Sequence, residues 1–256
     1  MSTRYVRFKA SGLPDGSYGV IREEIVEMLD NPPWLDKKPN GATLPLSEIT
    51  LLAPVQPSKI ICIGLNYHAH VQASFSADSA PEKPLIFLKP PSAIIGPEDE
   101  IIHPPESERV DYEAELGVVI GKQGRHIPVE KARDHVFGFT CVNDVTARDL
   151  QKKDSQWSRA KGFDTFCPVG PWIVPDLDFE DVLVEGIHNS EVKQSGRTSR
   201  MIFGIPYLIS YISAVMTLMP GDLISTGTPS GIAPMKPGDT IEVRIEGIGT
   251  LRNRMA

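Results

Sequence analysis

Three carboxylates in the middle of the chain have the types and spacing that could do chemistry. Glu113 and Glu115 lie two positions apart in a β-prone run, and Asp144 follows an apolar, strand-like segment at its C-terminal end. Because side chains alternate along a strand, both glutamates should point to the same face. Two like charges on a buried face repel each other unless a cation or solvent separates them. Three carboxylates without a thiol or a paired histidine favour a hard cation, Mg²⁺ or Mn²⁺.

The same residues also have an ordinary structural interpretation. An E-x-E pattern in a strand usually marks a solvated face, and a lone Asp144 is more often the cap of a helix that begins near Thr146. Spacing alone therefore leaves the metal site a minority hypothesis, and the neighbouring segments have to decide it.

The elements that must position these residues are mostly short strands. The chain has 256 residues, with 23 prolines and 21 glycines scattered as turn markers between apolar runs. We expect a mainly β fold with some helix, an α+β class, with a small N-terminal domain at 1–53 and a catalytic domain at 54–256. The main predicted elements are strands at 59–65, 111–121 and 136–142, a loop at 31–41, a helix at 146–153 and an amphipathic helix at 205–219.

Composition excludes several classes of partner. The net charge of −7 argues against nucleic acid and anionic membranes, although a local cation still permits an anionic small substrate. The first ten residues lack the apolar run of a signal peptide, and no apolar stretch is long enough to span a membrane. Cys62, Cys141 and Cys167 are odd in number and have no C-x-x-C spacing, which favours a reducing, cytoplasmic compartment.

Seven segments, read together, resemble the fumarylacetoacetate hydrolase family from about residue 58 to the C-terminus. They are IGLNYHAH (63–70), FLKPPSAIIGP (87–97), VDYEAELGVVIGK (110–122), GFTCVNDVTARDLQ (138–151), AKGFDTFCPVGP (160–171), PGDLISTGTPSGI (220–232) and KPGDTIEVRIEGIGTL (236–251). The resemblance implies a mixed β-roll, a homodimer and a Mg²⁺ or Mn²⁺ cofactor. It also implies a small-molecule keto-acid substrate.

The resemblance assigns a role to each site residue. The metal ligands it implies are Glu113, Glu115 and Asp144. Lys161 matches a family lysine near the metal, where its ammonium could stabilise an enolate or hold a substrate carboxylate; most lysines, however, are solvated surface residues.

Three further residues match substrate-facing positions of the family. Arg148 and Gln151 are three apart on a predicted helix and can share one face. Thr228 lies in a Gly-punctuated turn where backbone N–H groups could meet a carboxylate. Without the resemblance, the first two would be unremarkable surface residues and the third only part of a turn.

His70 takes the position of the family's acid–base histidine, although a lone histidine is more often structural. Many members carry a glutamate three residues further on, which orients the histidine to activate water; here that position is Ala73. Glu82 could substitute if the segment 66–83 closes over the site.

These residues predict an enzyme that acts on 2-keto or 2,4-diketo acids through a metal-stabilised enolate. We expect hydrolysis of a C–C bond, as in acylpyruvates, or decarboxylation of oxaloacetate. Because Ala73 weakens the water-activating step most, keto–enol tautomerisation of oxaloacetate is a close alternative. A catalytically silent, metal-stabilised binding protein is the alternative from another class.

Overall fold

Runs of β-branched and aromatic residues between Pro and Gly turns give this chain many short strands and few helices. The computed structural model describes residues 2–14, 16–73 and 80–256. The strands are β1 Arg4–Lys9, β2 Ser17–Arg22, β3 Ile25–Leu29, β4 Pro39–Pro45, β5 Thr50–Leu52, β6 Ile60–Gly64, β7 Leu85–Lys89, β8 Ile94–Ile95, β9 Glu100–Ile101, β10 Val110–Asp111, β11 Ala114–Ile120, β12 Val136–Asn143, β13 Thr146–Ala147, β14 Cys167–Val174, β15 Leu183–His188, β16 Glu191–Arg197, β17 Leu223–Ser225, β18 Thr240–Ile245 and β19 Gly249–Met255. The α-helices are α1 His68–Ala73, α2 Arg148–Lys153, α3 Ser158–Lys161 and α4 Ile205–Val215.

The strands form one long mixed sheet and two smaller ones. The large sheet runs in the order β4-β3-β2-β1-β14-β12-β11-β17-β6-β7, with β5 paired to β1 and β8 to β14. A five-stranded sheet runs β16-β15-β18-β19-β9, and β10 pairs with β13 alone. Most pairs are antiparallel, but β17–β6, β14–β8 and β19–β9 are parallel. This arrangement confirms the predicted mainly β class with a few helices.

The core lies on both faces of β11 and β12. On one face, Leu116 and Val118 pack in a cluster with Val243 of the five-stranded sheet and with Leu208 and Ile212 of α4. On the other face, Val119 and Val142 pack in a second cluster with apolar residues of β6 and β14. Burial on both faces explains why the sequence of β11 and β12 is a nearly continuous apolar run.

The N-terminal strands continue the large sheet. Strand β1 pairs with β2 from Arg4 to Phe8 and meets β14 through Tyr5 and Ile173. The rings of Tyr5 and Phe137 are 5.3 Å apart, so the N-terminal segment shares core contacts with the catalytic part. The division into domains at residues 53 and 54 stays a prediction.

Several predicted elements differ in the structure. The expected strand at 111–121 is interrupted, because Tyr112 and Glu113 lie between β10 and β11. Part of the expected loop at 31–41 is strand β4, and the expected helix at 146–153 begins as strand β13 before α2. Helix α4 ends at Val215 rather than at residue 219, ahead of the Pro-Gly turn at 220–221.

Within the described ranges, no helix is both long and apolar enough to cross a membrane. The cytoplasmic location stays a prediction. The predicted closing segment at 66–83 begins with α1, but 74–79 lie outside the described residues.

Candidate active site

Pairing between β11 and β12 brings the three carboxylates together. Glu115 lies opposite Val142 in the ladder, and Ala114 lies opposite Asn143. Glu113, just before β11, donates its N–H to the side-chain oxygen of Asn143 at 2.9 Å, and its carbonyl accepts the N–H of Asp144 at 2.9 Å. The prediction that both glutamates occupy one regular strand was therefore wrong for Glu113, yet the two carboxylates still converge.

The triad of Glu113, Glu115 and Asp144 is tight and buried. One ligand oxygen from each residue lies within 4.8 Å of the other two, and each residue is at most 5% exposed. Burial, followed by repulsion from Asp144 and Glu113, raises the pKa of Glu115 to about 8. Glu115 accepts hydrogen bonds from the hydroxyl of Ser225 at 2.5 Å and the N–H of Gly227 at 2.9 Å.

Two buried ammonium groups balance part of this charge. Lys161, at the end of α3, places Nζ 3.0 Å from Glu113 and 2.6 Å from Asp144. Burial opposes ionisation of Lys161, but Asp144 and Glu113 outweigh it and raise its pKa. Burial likewise opposes ionisation of Glu113, yet Lys161 and Arg148 hold its pKa below the ordinary value. Lys89, the last residue of β7, bonds Asp144 from a different direction.

Arg148 connects the triad to a second buried acid, Asp111. Its guanidinium donates to Asp111 at 2.9 Å, to Glu113 and to the side-chain oxygen of Gln151. Asp111 is fully buried and also pairs with Arg109 at 2.8 Å. The sequence prediction that Arg148 and Gln151 share a face agrees with their direct contact on α2.

His70 lies on α1 at the edge of the same group and is 7% exposed. Burial lowers its pKa below the ordinary value, Glu113 opposes this, and Arg148 and Lys161 add to the lowering. This direction favours the neutral imidazole, the form that can accept a proton. Ala73 is the last residue of this helix.

Thr228 lies beside Glu115 in the turn after β17, but its hydroxyl is already engaged. It donates to the carbonyl of Ala114 at 2.8 Å and accepts from the side-chain N–H of Gln194 at 2.8 Å. The expectation that backbone N–H groups of this turn meet a carboxylate is fulfilled within the protein, by Gly227 and Glu115. A direct contact of Thr228 with substrate stays a prediction.

These groups line one cavity with about 20 Å³ of free space, room for a water molecule or a single ion, so a keto acid can enter only if lining side chains move. Its polar lining consists of His70, Glu113, Glu115, Asp144, Arg148, Gln151, Lys161 and Thr228. Its apolar wall includes Phe87 and Trp157, whose rings meet edge to face at 5.4 Å. Every sequence-predicted site residue therefore faces the same small space.

The donor set fits a hard dication. The triad offers carboxylate oxygens without sulfur or imidazole, as Mg²⁺ and Mn²⁺ prefer, and the crowding that raises the pKa of Glu115 is what a bound cation would relieve. Sequence reasoning missed Lys89 and Asp111. Each lies inside a quoted motif, and a charged residue in an otherwise apolar strand was the available signal.

Comparisons with known proteins agree with this geometry. Residues 59–256 match the family model described as Fumarylacetoacetate (FAA) hydrolase C-terminal, and residues 3–54 match the model described as Rv2993c-like, N-terminal. Oxaloacetate tautomerase YisK of Bacillus subtilis is 46% identical over 86% of this chain and 78% of its own length. The mitochondrial oxaloacetate tautomerase FAHD2A of Homo sapiens is 43% identical over 83% of this chain and 71% of its own.

A solved structure of a similar protein has the same fold as this chain. The crystal structure named 5-carboxymethyl-2-hydroxymuconate delta-isomerase from Mycobacterium smegmatis superposes with a TM-score of 0.90 at 44% identity. The match covers 99% of each chain, so it includes the N-terminal strands as well as the part that carries the triad.

Proposed function

Because the chain belongs to the fumarylacetoacetate hydrolase family, we propose that it is a divalent-metal-dependent tautomerase of oxaloacetate or a closely related keto acid. The observation that carries the proposal is the single buried cavity onto which the acidic triad, Lys161, Arg148 and His70 all face. Two relatives named oxaloacetate tautomerases support the choice of reaction. Ala73 supports it as well, because tautomerisation needs no activated water.

The metal would be held by Glu113, Glu115 and Asp144. When bound, Mg²⁺ or Mn²⁺ would act as a Lewis acid that lowers the energy of negative charge on the substrate's keto oxygen. The remaining chemistry belongs to the side chains of the chain itself.

Arg148 and Gln151 are placed to hold a substrate carboxylate. A guanidinium binds a carboxylate with two N–H donors. Nη1 and Nη2 of Arg148 bond Gln151 and Glu113, so a substrate carboxylate would use the second N–H of each nitrogen or displace these partners. Lys161 would then stabilise the keto oxygen as it becomes negative, because its ammonium is buried where charge interactions are strong. Its bonds to Glu113 and Asp144 must lengthen to do so.

The neutral imidazole of His70 is suited to move the proton. In the keto-to-enol direction it would take a proton from C3, whose C–H electrons form the C2=C3 double bond. The carbonyl electrons then move to the C2 oxygen, which takes a proton from solvent, and the imidazolium of His70 releases the proton from C3 to solvent. In the reverse direction protonated His70 returns a proton to C3, and the proton of the enol oxygen goes to solvent. The reaction needs no further reactant, and one C–H bond is exchanged for one O–H bond.

Hydrolysis of acylpyruvates or decarboxylation of oxaloacetate is the second candidate. Hydrolysis is favoured by the same neutral His70, which could deprotonate a water molecule as well as a carbon. It is weakened by Ala73, because the glutamate that would orient the imidazole is missing from α1. Decarboxylation needs the enolate but no activated water, so Ala73 bears on it less.

The test is to add enol-rich oxaloacetate to purified protein with Mg²⁺ or Mn²⁺ and to follow enol absorbance and CO₂ release separately. Loss of acetylpyruvate is followed in a parallel reaction. We expect enol–keto exchange above the buffer rate without product formation. Lys161→Met should remove the acceleration, whereas Lys193→Met, on the exposed strand β16, should keep it.

The outcomes separate the alternatives. Release of CO₂ or cleavage of acetylpyruvate at rates that match enol exchange would replace tautomerase with the second candidate. Binding of oxalate without turnover of any keto acid would favour a silent binding protein. Full activity after removal of metal by EDTA would contradict the metal dependence.

The homodimer and the small-molecule partner remain proposals that rest on the family. Light scattering coupled to size-exclusion chromatography should give twice the chain mass of 28.1 kDa. A single-chain mass at micromolar concentration would contradict the dimer without affecting the proposed reaction.

A further inference from the structure

Lys89 is a buried lysine that the proposed reaction does not use. It ends β7, its side chain is 0% exposed, and it lies on the same side of the strand as Phe87. Its Nζ donates to Oδ1 of Asp144 at 2.5 Å and to the carbonyl of Val145 at 3.0 Å. A buried ammonium held by two acceptors is fixed in position, because releasing either one would leave charge unpaired away from water.

The two oxygens of Asp144 are held by different lysines. Lys161 lines the cavity, and its Nζ bonds Oδ2 of Asp144 as well as Oε2 of Glu113. Lys89 does not line the cavity and bonds Oδ1. We therefore infer that Oδ2 is the oxygen on the cavity side, because its partner Lys161 lines the cavity and Lys89, the partner of Oδ1, does not.

We propose that Lys89 is a positioning residue that limits Asp144 to one oxygen in the metal site and so disfavours Ca²⁺ relative to Mn²⁺ and Mg²⁺. The inference rests on the proposed metal function of the triad. Mg²⁺ demands octahedral coordination at short distances, which single carboxylate oxygens satisfy. Ca²⁺ takes six to eight oxygens and gains from carboxylates that bind through both. Binding through both oxygens of Asp144 would weaken the buried ion pair between Oδ1 and Lys89, a cost that binding through Oδ2 alone avoids.

The experiment compares the dissociation constants of Mn²⁺ and Ca²⁺, measured by calorimetry on the full chain. The variants are Lys89→Met and Lys89→Gln, with Lys59→Met as the matched control. Lys59 also pairs with a buried aspartate, Asp222, which has no contact with the triad among the hydrogen bonds of the described residues.

We expect the Ca²⁺ to Mn²⁺ ratio of dissociation constants to fall by about tenfold in both Lys89 variants, the scale typical of groups that orient metal ligands. Lys59→Met should leave the ratio unchanged. Equal weakening or strengthening of both metals in the Lys89 variants would overturn the inference, because a lysine that only adjusts charge acts on both dications alike.

A second measurement covers the case in which neither Lys89 variant folds. The crystal structure of the unaltered protein with Ca²⁺ should show Asp144 binding through one oxygen while Lys89 keeps the other. Binding through both oxygens would overturn the inference. Failure of the unaltered protein to bind Mn²⁺ at all would instead refute the metal site, and the two failures are thus distinguishable.

Discussion

Glu115 is the triad carboxylate whose negative charge its surroundings oppose most. Burial and the carboxylates of Asp144 and Glu113 raise its pKa to about 8, whereas Glu113 is held ionised by Lys161 and Arg148. An acid that is costly to ionise without a ligand is useful mainly when a cation occupies the site.

Replacement of Glu115 by glutamine should abolish Mn²⁺ binding without lowering the melting temperature of the metal-free protein. The amide keeps an acceptor for Ser225 and Gly227. It replaces a carboxyl group whose raised pKa of about 8 already makes it largely neutral near pH 7 in the metal-free protein. Calorimetry and thermal melting measure the two effects, with exposed Glu191→Gln as the control. A large drop in the melting temperature would indicate a structural role for Glu115 instead.

The lowered pKa of His70 predicts the acid side of the pH profile. The base must be neutral to accept a proton, and burial holds its pKa below the ordinary value of about 6.5 for histidine. We therefore expect kcat/KM to stay high down to pH 6.5 and to fall only below it. The measurement is kcat/KM from pH 5 to 9 for the unaltered enzyme and for His70→Ala, which should lose that limb together with most of the rate. His68→Ala, an exposed position in the same helix, is the control. An acid limb centred above pH 6.5 would assign the base to another group.

At this scale the sequence predicts the three converging carboxylates better than it predicts the residues that hold them. The triad was found because its members fall in recognisable segments and share one chemistry. Lys89 and Asp111 were missed because their partners lie 55 and 37 positions away, at Asp144 and Arg148. Such contacts exist only after the strands have paired, so local composition can mark an unusual charge but cannot identify its partner.

At the scale of elements, the interruption between β10 and β11 shows where periodicity fails. The run 111–121 alternates well enough to predict one strand, but β10 pairs with β13 and β11 with β12. The side chain of Asn143 captures the N–H of Glu113 in place of a ladder bond. The side chain of Asn143, 30 positions from Glu113, thus sets where β11 begins. The sequence alone predicts a strand in this region but not the interruption at residues 112 and 113.

The turn after β17 allows a test of how an element positions a ligand. Gly227 has φ +98°, and a Cβ there would lie 2.7 Å from the Cβ of Asn66. Gly227→Ala should therefore displace the N–H that holds Glu115, weakening Mn²⁺ binding by about tenfold and lowering the melting temperature. Gly238 has φ +95°, and no atom lies within 4 Å of a Cβ added there. Gly238→Ala therefore strains the backbone without pushing on a neighbour, and it should keep the Mn²⁺ affinity. Equal losses of affinity in the two variants would show that backbone strain, not ligand position, is responsible.

At the scale of the whole molecule, the N-terminal strands and the catalytic part share one sheet. Strand β1 pairs with β14, and Tyr5 packs in a cluster that includes Val169 and Ile173. Composition and turn signals predicted a separable unit at 1–53. They could not show that its first strand would join the large sheet, because that pairing joins residues far apart in the chain.

A shared sheet and core predict that both parts unfold together. Differential scanning calorimetry should show one transition whose calorimetric and van't Hoff enthalpies agree. Mn²⁺ at about a hundred times its dissociation constant should move the whole transition upward by about 5–10 °C, because ligand binding to the folded state stabilises every element that unfolds with the site. In Glu115→Gln the transition should not move. A separate transition that Mn²⁺ leaves in place would mean that residues 1–53 fold independently, despite the strand pair that links Tyr5 to Ile173.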